Sequence, residues 1–534
     1  MKAPPPGRAA DFPIIRHTLS HEYGLTFAPG YVIIQTKEHH AKCRQEMIPV
    51  KRNNRIVYRL LVLSLSVLLL TIPFSACKKD SSSAVKGLQH ITTKEKDQNE
   101  PVVKKPSLGL EYILNVDKST SKHDGTCQVN GIGTCKDTDL LIPSSLYSKG
   151  TVVGVADAAF KDCTKITSVT IPDGVTSIGA EAFAGCTGLR SVSIPDSVTI
   201  IGADAFADCP NLPYNHVNGA DYLGNEENPY VVLIRVTNKS VTSFSIPEQV
   251  KIIYSDAFSD CTQLMSVTIP EGVKRIGVSA FAGCVMLTEI SVPDSVTNLE
   301  EKAFFGCSGI RAATVGTGVT KIGESVFAGC DSMETLTVPF IGDTANESSN
   351  PYLDYFFGGT LHVTPENLKT VVQEAVPLTL RKVILTSGER VGNYAFMGCP
   401  GLTSVTVSDR MVEIGMFAFY RCSGLTEVVI SQSVTAIGID AFRECTALTE
   451  ITIPDQVTDI GGLVFYGCAE LQKITIGKNV QALVNYVLGN CPALTEIHYT
   501  GTRTEWEAIK KDHTWDADRV SGYTVICSDG TISK

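Results

Sequence analysis

The chain of 534 residues carries 46 Lys and Arg against 56 Asp and Glu, and 43% of its residues are hydrophobic. The formal net charge of −10 gives no electrostatic reason to expect a nucleic-acid partner. The length exceeds one ordinary domain core but is normal for a solenoid, in which each unit contacts only its neighbours.

Residues 47–77 have the layout of a secretory signal. A basic stretch from Lys51 to Arg59 precedes the apolar run Leu60–Ile72, which is too short for a comfortable membrane span of about 20 residues. Small residues then lead to Cys77, and this junction resembles the cleavage site of bacterial lipoproteins. The resemblance implies that Cys77 becomes the acylated first residue of the mature chain. An uncleaved anchor helix is the alternative.

The segments on either side of this signal carry little information about the fold. Signals begin near a true N-terminus, and Met47 would start one of ordinary length. We therefore interpret residues 1–46 as a stretch upstream of the true start, or else as disordered. Residues 78–108 are rich in Lys, Ser, Asp and Gln, which predicts a flexible tether.

The strongest signal in the chain is a set of twelve cysteines that recur with a period of 23. An apolar residue stands three positions before each, Phe in eleven copies and Leu488 in the last. A fixed period of this length predicts a stack of identical supersecondary units. The twelve are Cys163, Cys186, Cys209, Cys261, Cys284, Cys307, Cys330, Cys399, Cys422, Cys445, Cys468 and Cys491.

Residues 448–468, LTEITIPDQVTDIGGLVFYGC, are the cleanest copy of the repeat. Leu448, Ile451 and Ile453 alternate with polar residues and predict a strand, which Pro454 ends. The Phe and Cys of each copy close the coil, and stacking buries equivalent side chains as ladders. We predict a repeat solenoid, mainly β with short turns. Its structural ladder includes Phe183, Cys186, Phe281, Cys284, Phe442 and Cys445.

The pattern L-x-x-I-x-I-P-x-x-V-x-x-I-x-x-x-A-F-x-x-C resembles the leucine-rich repeats of the BspA-like type, found in bacterial surface proteins. The resemblance covers roughly residues 125–534. It implies a curved leucine-rich-repeat horseshoe or slab, with the L-x-x-I-x-I strands on its concave face. It also implies surface adhesion, including attachment to host matrix proteins and to other bacteria.

The repeat also defines the boundaries of the remaining segments. We place an N-terminal cap and first turns at 109–160, the solenoid at 161–500 and a C-terminal cap at 501–534. The C-terminal cap contains the only two tryptophans, Trp506 and Trp515. Because the last coil of a solenoid needs an apolar cover, we expect both to pack there rather than to bind a ligand.

Two insertions, near 210–242 and 340–380, interrupt the cysteine spacing. The first separates Cys209 from Cys261 by two periods and six further positions. The second separates Cys330 from Cys399 by three whole periods. We therefore expect degenerate turns inside both, with a hairpin in the first.

The repeated sulfur is open to three chemical interpretations. A tetrahedral metal site needs clustered Cys and His ligands, and the ten His are scattered. Stacked positions point the same way, which opposes disulfides between neighbours. We expect buried free thiols that act as small hydrophobic side chains, with no metal and no cofactor. Pairing of Cys127 with Cys135 is left open, as is the state of Cys527.

The outward strand positions are largely Ser and Thr, a surface that costs little side-chain entropy to dock against. Charged and aromatic residues within or beside it are the better candidates for binding. A solvated face without a ligand is the alternative for the charged residues, and local core is the alternative for the aromatic ones. The candidate binding residues are Glu427, Glu450, Lys473, Glu496, His498, Tyr352, Tyr355, Phe356 and Phe357.

We predict that the chain is not an enzyme, because it contains no zinc-protease, hydrolase or phosphate-loop motif. The leading hypothesis is a lipid-anchored, surface-exposed protein of the cell envelope. It would bind extracellular proteins or glycans and mediate adhesion to host matrix proteins or to other bacteria. The alternative is a periplasmic or envelope lipoprotein for glycan binding or assembly. The sequence names neither the ligand nor the oligomeric state.

Overall fold

The computed structural model describes residues 25–28, 31–36, 44–49, 105–116, 122–147, 150–345, 352–360, 372–517 and 522–533. The chain divides into two compact units, residues 1–100 and 101–534. In the first unit three strands form an antiparallel sheet: Leu25–Ala28, Tyr31–Thr36 and Arg44–Pro49. The predicted signal beyond Pro49, including Cys77, and the tether as far as residue 104 lie outside the described residues.

The second unit is a β-solenoid whose coils repeat with the period that the sequence predicted. Each coil contributes a strand of three or four residues to one side, which we call face A. These strands are parallel and in register, so that Glu450 pairs with Lys473 and Ile451 with Ile474. The face A strands are Asp139–Leu141, Ser168–Thr170, Ser191–Ser193, Ser243–Ser245, Ser266–Thr268, Glu289–Val292, Ala312–Val315, Thr335–Val338, Lys382–Leu385, Ser404–Thr406, Glu427–Val429, Glu450–Ile453, Lys473–Ile476, Glu496–Tyr499 and Thr524–Cys527.

A second side, face B, is built from the Val-x-x-Ile part of each repeat. Its strands are two residues long in most coils and longer near the N-terminus and in the first insertion. In chain order they are Glu111–Val116, His123–Gly131, Ser145–Leu146, Gly150–Val155, Ser177–Ile178, Ile200–Ile201, Asn215–Val217, Ala220–Leu223, Val232–Val236, Ile252–Ile253, Arg275–Ile276, Asn298–Leu299, Lys321–Ile322, Arg390–Val391, Glu413–Ile414, Ala436–Ile437, Asp459–Ile460, Ala482–Leu483 and Lys510–Lys511.

Apolar ladders fill the space between the faces. In Glu450–Ile453 the side chains of Ile451 and Ile453 are buried while those of Glu450 and Thr452 are exposed, which is the alternation of a strand with one solvent-exposed face. The repeated Phe rings stack nearly parallel: Phe281 lies 4.6 Å from Phe258 and 5.2 Å from Phe304, centroid to centroid. Each ring in the stack is therefore kept in place by packing against rings of the coils before and after its own.

The repeated cysteines form no disulfide bonds, and all but the first, Cys163, are buried. The sulfur atoms of nine of them also form a hydrogen bond that the sequence did not reveal. Cys186 Sγ donates to the carbonyl oxygen of Phe160 at 3.1 Å, and Cys445 Sγ to that of Phe419 at the same distance. The thiol therefore links its coil to the preceding one, besides filling space. Among the other cysteines, Cys127, Cys135 and Cys527 likewise form no disulfide bond.

The residue before each cysteine adopts a left-handed backbone conformation. Its φ is 60° at Asp162, 53° at Asp208 and 56° at Asp260, and it is 71° at Gly185. Asp and Gly tolerate this region better than most residues. The recurring Asp at this position is thus a turn residue.

The first insertion forms the expected hairpin and divides the solenoid into two blocks. Asn215–Val217 pairs with Ala220–Leu223, and Val232–Val236 then pairs with the face B strand Ile252–Ile253. The Phe stack stops at Phe206 and resumes at Phe258. The buried residues form two main clusters, one mostly before this break and one mostly after it, and residues of the insertion contribute to both.

Two side chains of the second block cover the last coil of the first block. Tyr254 Oη donates to Gly202 O at 3.1 Å and accepts from the N–H of Ala205 at 2.8 Å. The guanidinium of Arg275 donates to Ile201 O and pairs with Glu300 at 2.9 Å. Backbone groups that lack a neighbouring strand are satisfied in this way.

The second insertion contains fewer coils than its length predicted. Thr335–Val338 pairs directly with Lys382–Leu385, so the three periods between Cys330 and Cys399 hold two coils rather than three. The extra length belongs to one enlarged coil, in which the 3₁₀ helix Leu353–Phe357 places Phe357 against Phe327. Residues 361–371 of this coil lie outside the described residues.

The C-terminal end is capped as expected. The helix Arg503–Ala508 starts with a capping box between Thr502 and Glu505. Trp506 and Trp515 are both buried against the last coil, which confirms their packing role. Thr524–Cys527 then pairs with the antiparallel strand Gly530–Ser533. Within the described residues, no helix has the length and apolarity to cross a membrane.

Candidate binding surface

The structure brings the five charged candidates together at the C-terminal end of face A. Glu450, Lys473 and Glu496 occupy paired positions on three adjacent strands, and Glu427 has the same position one coil earlier. We call these four residues the charge row; strand pairing places Glu450, Lys473 and Glu496 roughly 4.8 Å apart. His498 is the next outward residue on the strand of Glu496.

Short-range pairing satisfies part of this charge. Lys473 Nζ lies 3.3 Å from a carboxylate oxygen of Glu450, and His498 Nε2 lies 2.8 Å from one of Glu496. Glu427 accepts a hydrogen bond from Ser404 Oγ at 3.4 Å. Exposed pairs of this kind stabilise a fold by at most about 1 kcal/mol, so they can be exchanged for contacts with a partner. The charge row carries three carboxylates and one ammonium group, a locally acidic strip.

The aromatic candidates belong mainly to the core, which corrects part of the prediction. Phe356 and Phe357 are buried because the 3₁₀ helix turns them into the coil. Tyr352 and Tyr355 are half-buried, and burial raises the pKa of Tyr355 to about 12. Tyr355 Oη donates to Ile322 O at 3.4 Å. These four residues therefore shape the enlarged coil more than they offer a surface.

A polar groove beside the first insertion was missed by sequence reasoning. Its volume is about 1200 Å³, and it lies over the face A strands Ser168–Thr170 and Ser191–Ser193. Residues 223–229 of the insertion form the opposite wall. The signal that could have found it is the six extra positions between Cys209 and Cys261, together with the Asn- and Pro-rich sequence there. Among the described residues no group of three or more Cys, His, Asp or Glu is arranged to hold a metal ion.

Parallel strands stacked in register, each closed by a Phe and Cys turn, define a leucine-rich repeat protein. The chain belongs to the family described as BspA type leucine rich repeat region. Six copies match, over residues 153–224, 236–350 and 380–508. The match spans the solenoid and both sides of each insertion, and it confirms the resemblance inferred from the repeat. The leucine-rich repeat solenoid is typically a binding scaffold rather than an enzyme.

Several solved structures are similar to this chain. A leucine-rich repeat protein from Bacteroides ovatus shares 24% identity, with 77% of this chain and 98% of that chain covered and a TM-score of 0.35. A leucine rich cell surface protein from Faecalibacterium prausnitzii shares 28% identity, with 76% and 97% covered and a TM-score of 0.26. The pneumococcal vaccine antigen PcpA shares 19%, with 78% and 98% covered and a TM-score of 0.26. No curated protein matches the chain.

Proposed function

We propose that this chain is a lipid-anchored adhesion protein of the cell surface, which binds extracellular proteins through face A. The observation that carries the proposal is the charge row. It places Glu450, Lys473 and Glu496 on adjacent strands of one sheet and Glu427 one coil earlier, on a face whose other outward residues are mostly Ser and Thr. Such a sheet is preorganised, so a partner loses little of its binding energy to ordering the receptor.

The anchoring part of the proposal rests on Cys77. We expect Cys77→Ala to move the protein from the membrane fraction to the soluble or secreted fraction, because no acyl chain is attached. The wild-type chain should incorporate a labelled fatty acid and the variant should not. Retention of Cys77→Ala in membranes would favour an uncleaved anchor helix. Complete protection of the wild-type chain from protease added to intact cells would contradict a surface location and favour a periplasmic protein.

The binding part is tested with residues 101–534, which form a compact unit of their own. Immobilised collagen, laminin and fibronectin serve as protein probes. Charge reversal of Glu450 or Lys473 should weaken binding severalfold, because each variant places two like charges side by side on adjacent strands. The double variant E450K/K473E restores the ion pair with its polarity reversed. It should recover wild-type stability without recovering wild-type binding.

A matched control exists on the other side of the solenoid. Arg390 and Glu413 form a 3.0 Å ion pair between adjacent strands of face B. The swap R390E/E413R changes the same number of charges and should leave binding unchanged. Equal loss in the face A and face B variants would show that general charge, rather than the charge row, governs binding. Absence of wild-type binding to every matrix probe would contradict matrix adhesion.

A further inference from the structure

The strand Ser191–Ser193 has an open edge. It is the last strand of a three-stranded sheet on face A, and within the described residues it pairs only with Ser168–Thr170. The next face A strand in the described chain, Ser243–Ser245, begins a separate sheet. An edge of this kind is a template on which another strand can add.

The hydrogen bonds around this strand show which residue faces the open side. In a parallel sheet, alternate residues direct their backbone groups to opposite neighbours. Ser193 faces the paired strand, because its carbonyl accepts from the N–H of Ile171 at 3.1 Å. Ile194 faces the other way: its N–H donates to Gly224 O at 2.9 Å, and its carbonyl accepts from Asn225 Nδ2 at 2.8 Å.

Val192 lies two residues before Ile194 and therefore faces the same open side. The insertion hydrogen-bonds to the backbone of Ile194 but does not extend along the strand as far as Val192. The N–H and C=O of Val192 therefore point into the polar groove. Val192 lines that groove and is half-buried. In a parallel sheet, one residue whose N–H and C=O both face an incoming strand can hydrogen-bond to it and fix its register.

The groove is also strongly acidic. Four carboxylates line it, at Asp173, Asp196, Glu226 and Glu227, and no Lys, Arg or His does so. None of the four takes part in a salt bridge among the described residues. Asp196 accepts one hydrogen bond, from Asn228 Nδ2 at 3.0 Å. The floor includes the hydroxyl groups of Ser168, Thr170, Ser191 and Ser193 on face A.

We propose that the groove binds an extended basic peptide segment of another protein, added as a strand beside Ser191–Ser193. Val192 registers the main chain of the peptide, and the four carboxylates select Lys and Arg side chains on it. The site lies in the first block of the solenoid, away from the charge row. It goes beyond the proposed function, because it does not depend on matrix adhesion.

The test measures binding of a fluorescent peptide of alternating Lys and Thr to residues 101–534 by anisotropy. We expect saturable binding that weakens with added salt, and no binding of the matching peptide of alternating Glu and Thr. A Lys–Thr peptide with N-methyl groups on alternate residues keeps its charge but loses strand-forming donors. It should bind at least about tenfold more weakly, because it cannot donate to the edge. Hydrogen exchange at residues 190–194 should slow when the unmethylated peptide binds.

Protein variants separate this site from general acidity and from the charge row. E226Q/E227Q should weaken peptide binding about three- to tenfold. The control E248Q/E271Q also removes two carboxylates, but from outside the groove. Glu248 and Glu271 occupy in their coils the loop position that Asp173 and Asp196 occupy in theirs, and their replacement should leave peptide binding unchanged. E450K/K473E should also bind the peptide as the wild type does, whatever its effect on matrix binding. Equal binding of the methylated peptide, or loss of binding in E248Q/E271Q equal to that in E226Q/E227Q, would overturn the proposal. So would absence of wild-type binding.

Discussion

Replacing Phe281 by Ala tests whether the stacked rings hold the coils together. Phe281 is fully buried, with one ring 4.6 Å away in the preceding coil and another 5.2 Å away in the following coil. Those neighbours are fixed by backbone bonds of the two coils, since Phe258 N–H donates to Ala280 O and Phe281 N–H donates to Ala303 O. The cavity cannot collapse, so we expect Phe281→Ala to lower the free energy of unfolding by about 4 kcal/mol.

The assay is equilibrium urea denaturation of residues 101–534, followed by circular dichroism. A solenoid can lose a few coils at a time, so hydrogen exchange of the coils around residue 281 should accompany it. Phe206→Ala is the matched control: Phe206 stacks on one ring only, at the break between the blocks. It should cost less, at about 2–3 kcal/mol. A loss below about 1 kcal/mol for Phe281→Ala would refute the ladder as the source of stability, as would equal losses for both variants.

Three further predictions concern pH and the break between the blocks. Burial raises the pKa of the Cys422 and Cys330 thiols to about 12, from 9.0. The stability that these neutral thiols contribute is complete below pH 9 and is lost as the pH rises towards 12. The midpoint of urea denaturation should therefore fall between pH 9 and 12, and this fall should be smaller in Cys422→Ala than in the wild type. Burial also raises the pKa of Asp354 to about 6, from 3.8. The stability that the protonated Asp354 carboxyl contributes is complete below pH 3.8 and is lost as the pH rises through 6. Asp354→Asn should therefore stabilise the fold by roughly 2–3 kcal/mol at about pH 7.5 and by much less at about pH 4. Equal changes in stability at both pH values would contradict this account. Tyr254→Phe removes the hydroxyl that serves both Gly202 and Ala205 and should cost about 1–3 kcal/mol, with faster proteolysis near the break; unchanged stability would mean that water replaces the hydroxyl.

The sequence was sufficient for features that repeat. Leu448, Ile451 and Phe465 have equivalents in almost every coil, so their burial follows from period alone. The hairpin of the first insertion and the tryptophan cap also followed from local pattern. The second insertion could not be counted in this way, because a loop of any length inside one coil can bring the spacing to a whole number of periods. The interval from Cys330 to Cys399 is such a case.

Contacts between coils were harder to predict than the coils themselves. The bond from Cys186 Sγ to Phe160 O depends on how far one coil is displaced from the next, which residue spacing does not contain. Tyr254 does carry a faint signal: it stands where Gly179, Gly202 and Gly277 follow the short strand in other coils. At Gly202 an added Cβ would collide with the backbone of the preceding coil, so a Tyr at this position indicates that the preceding coil is not packed in the usual way.

The positions of the candidate surface residues could be predicted only in part, for a related reason. The charged candidates Glu450 and Lys473 meet because strand register is a property of the repeat. Phe356 and Phe357 lie in the irregular enlarged coil, where sequence gives no register to tell inside from outside. The acidic groove depends on the same kind of irregularity, since it exists only where a strand is missing from the stack.

The strict register of the coils has a consequence for how the gene can change in length. Between Cys399 and Cys491 every coil presents apolar ladder side chains at the same positions to its neighbours. Removing one whole unit, such as residues 423–445, would bring Cys422 and Cys468 one coil apart and recreate the same contacts. Unequal recombination within this stretch therefore yields shorter or longer proteins that can fold, whereas face A changes by one row of side chains at each event. Lineages can thus change the length of the solenoid and the exposed residues of face A together while the packing of the core stays the same.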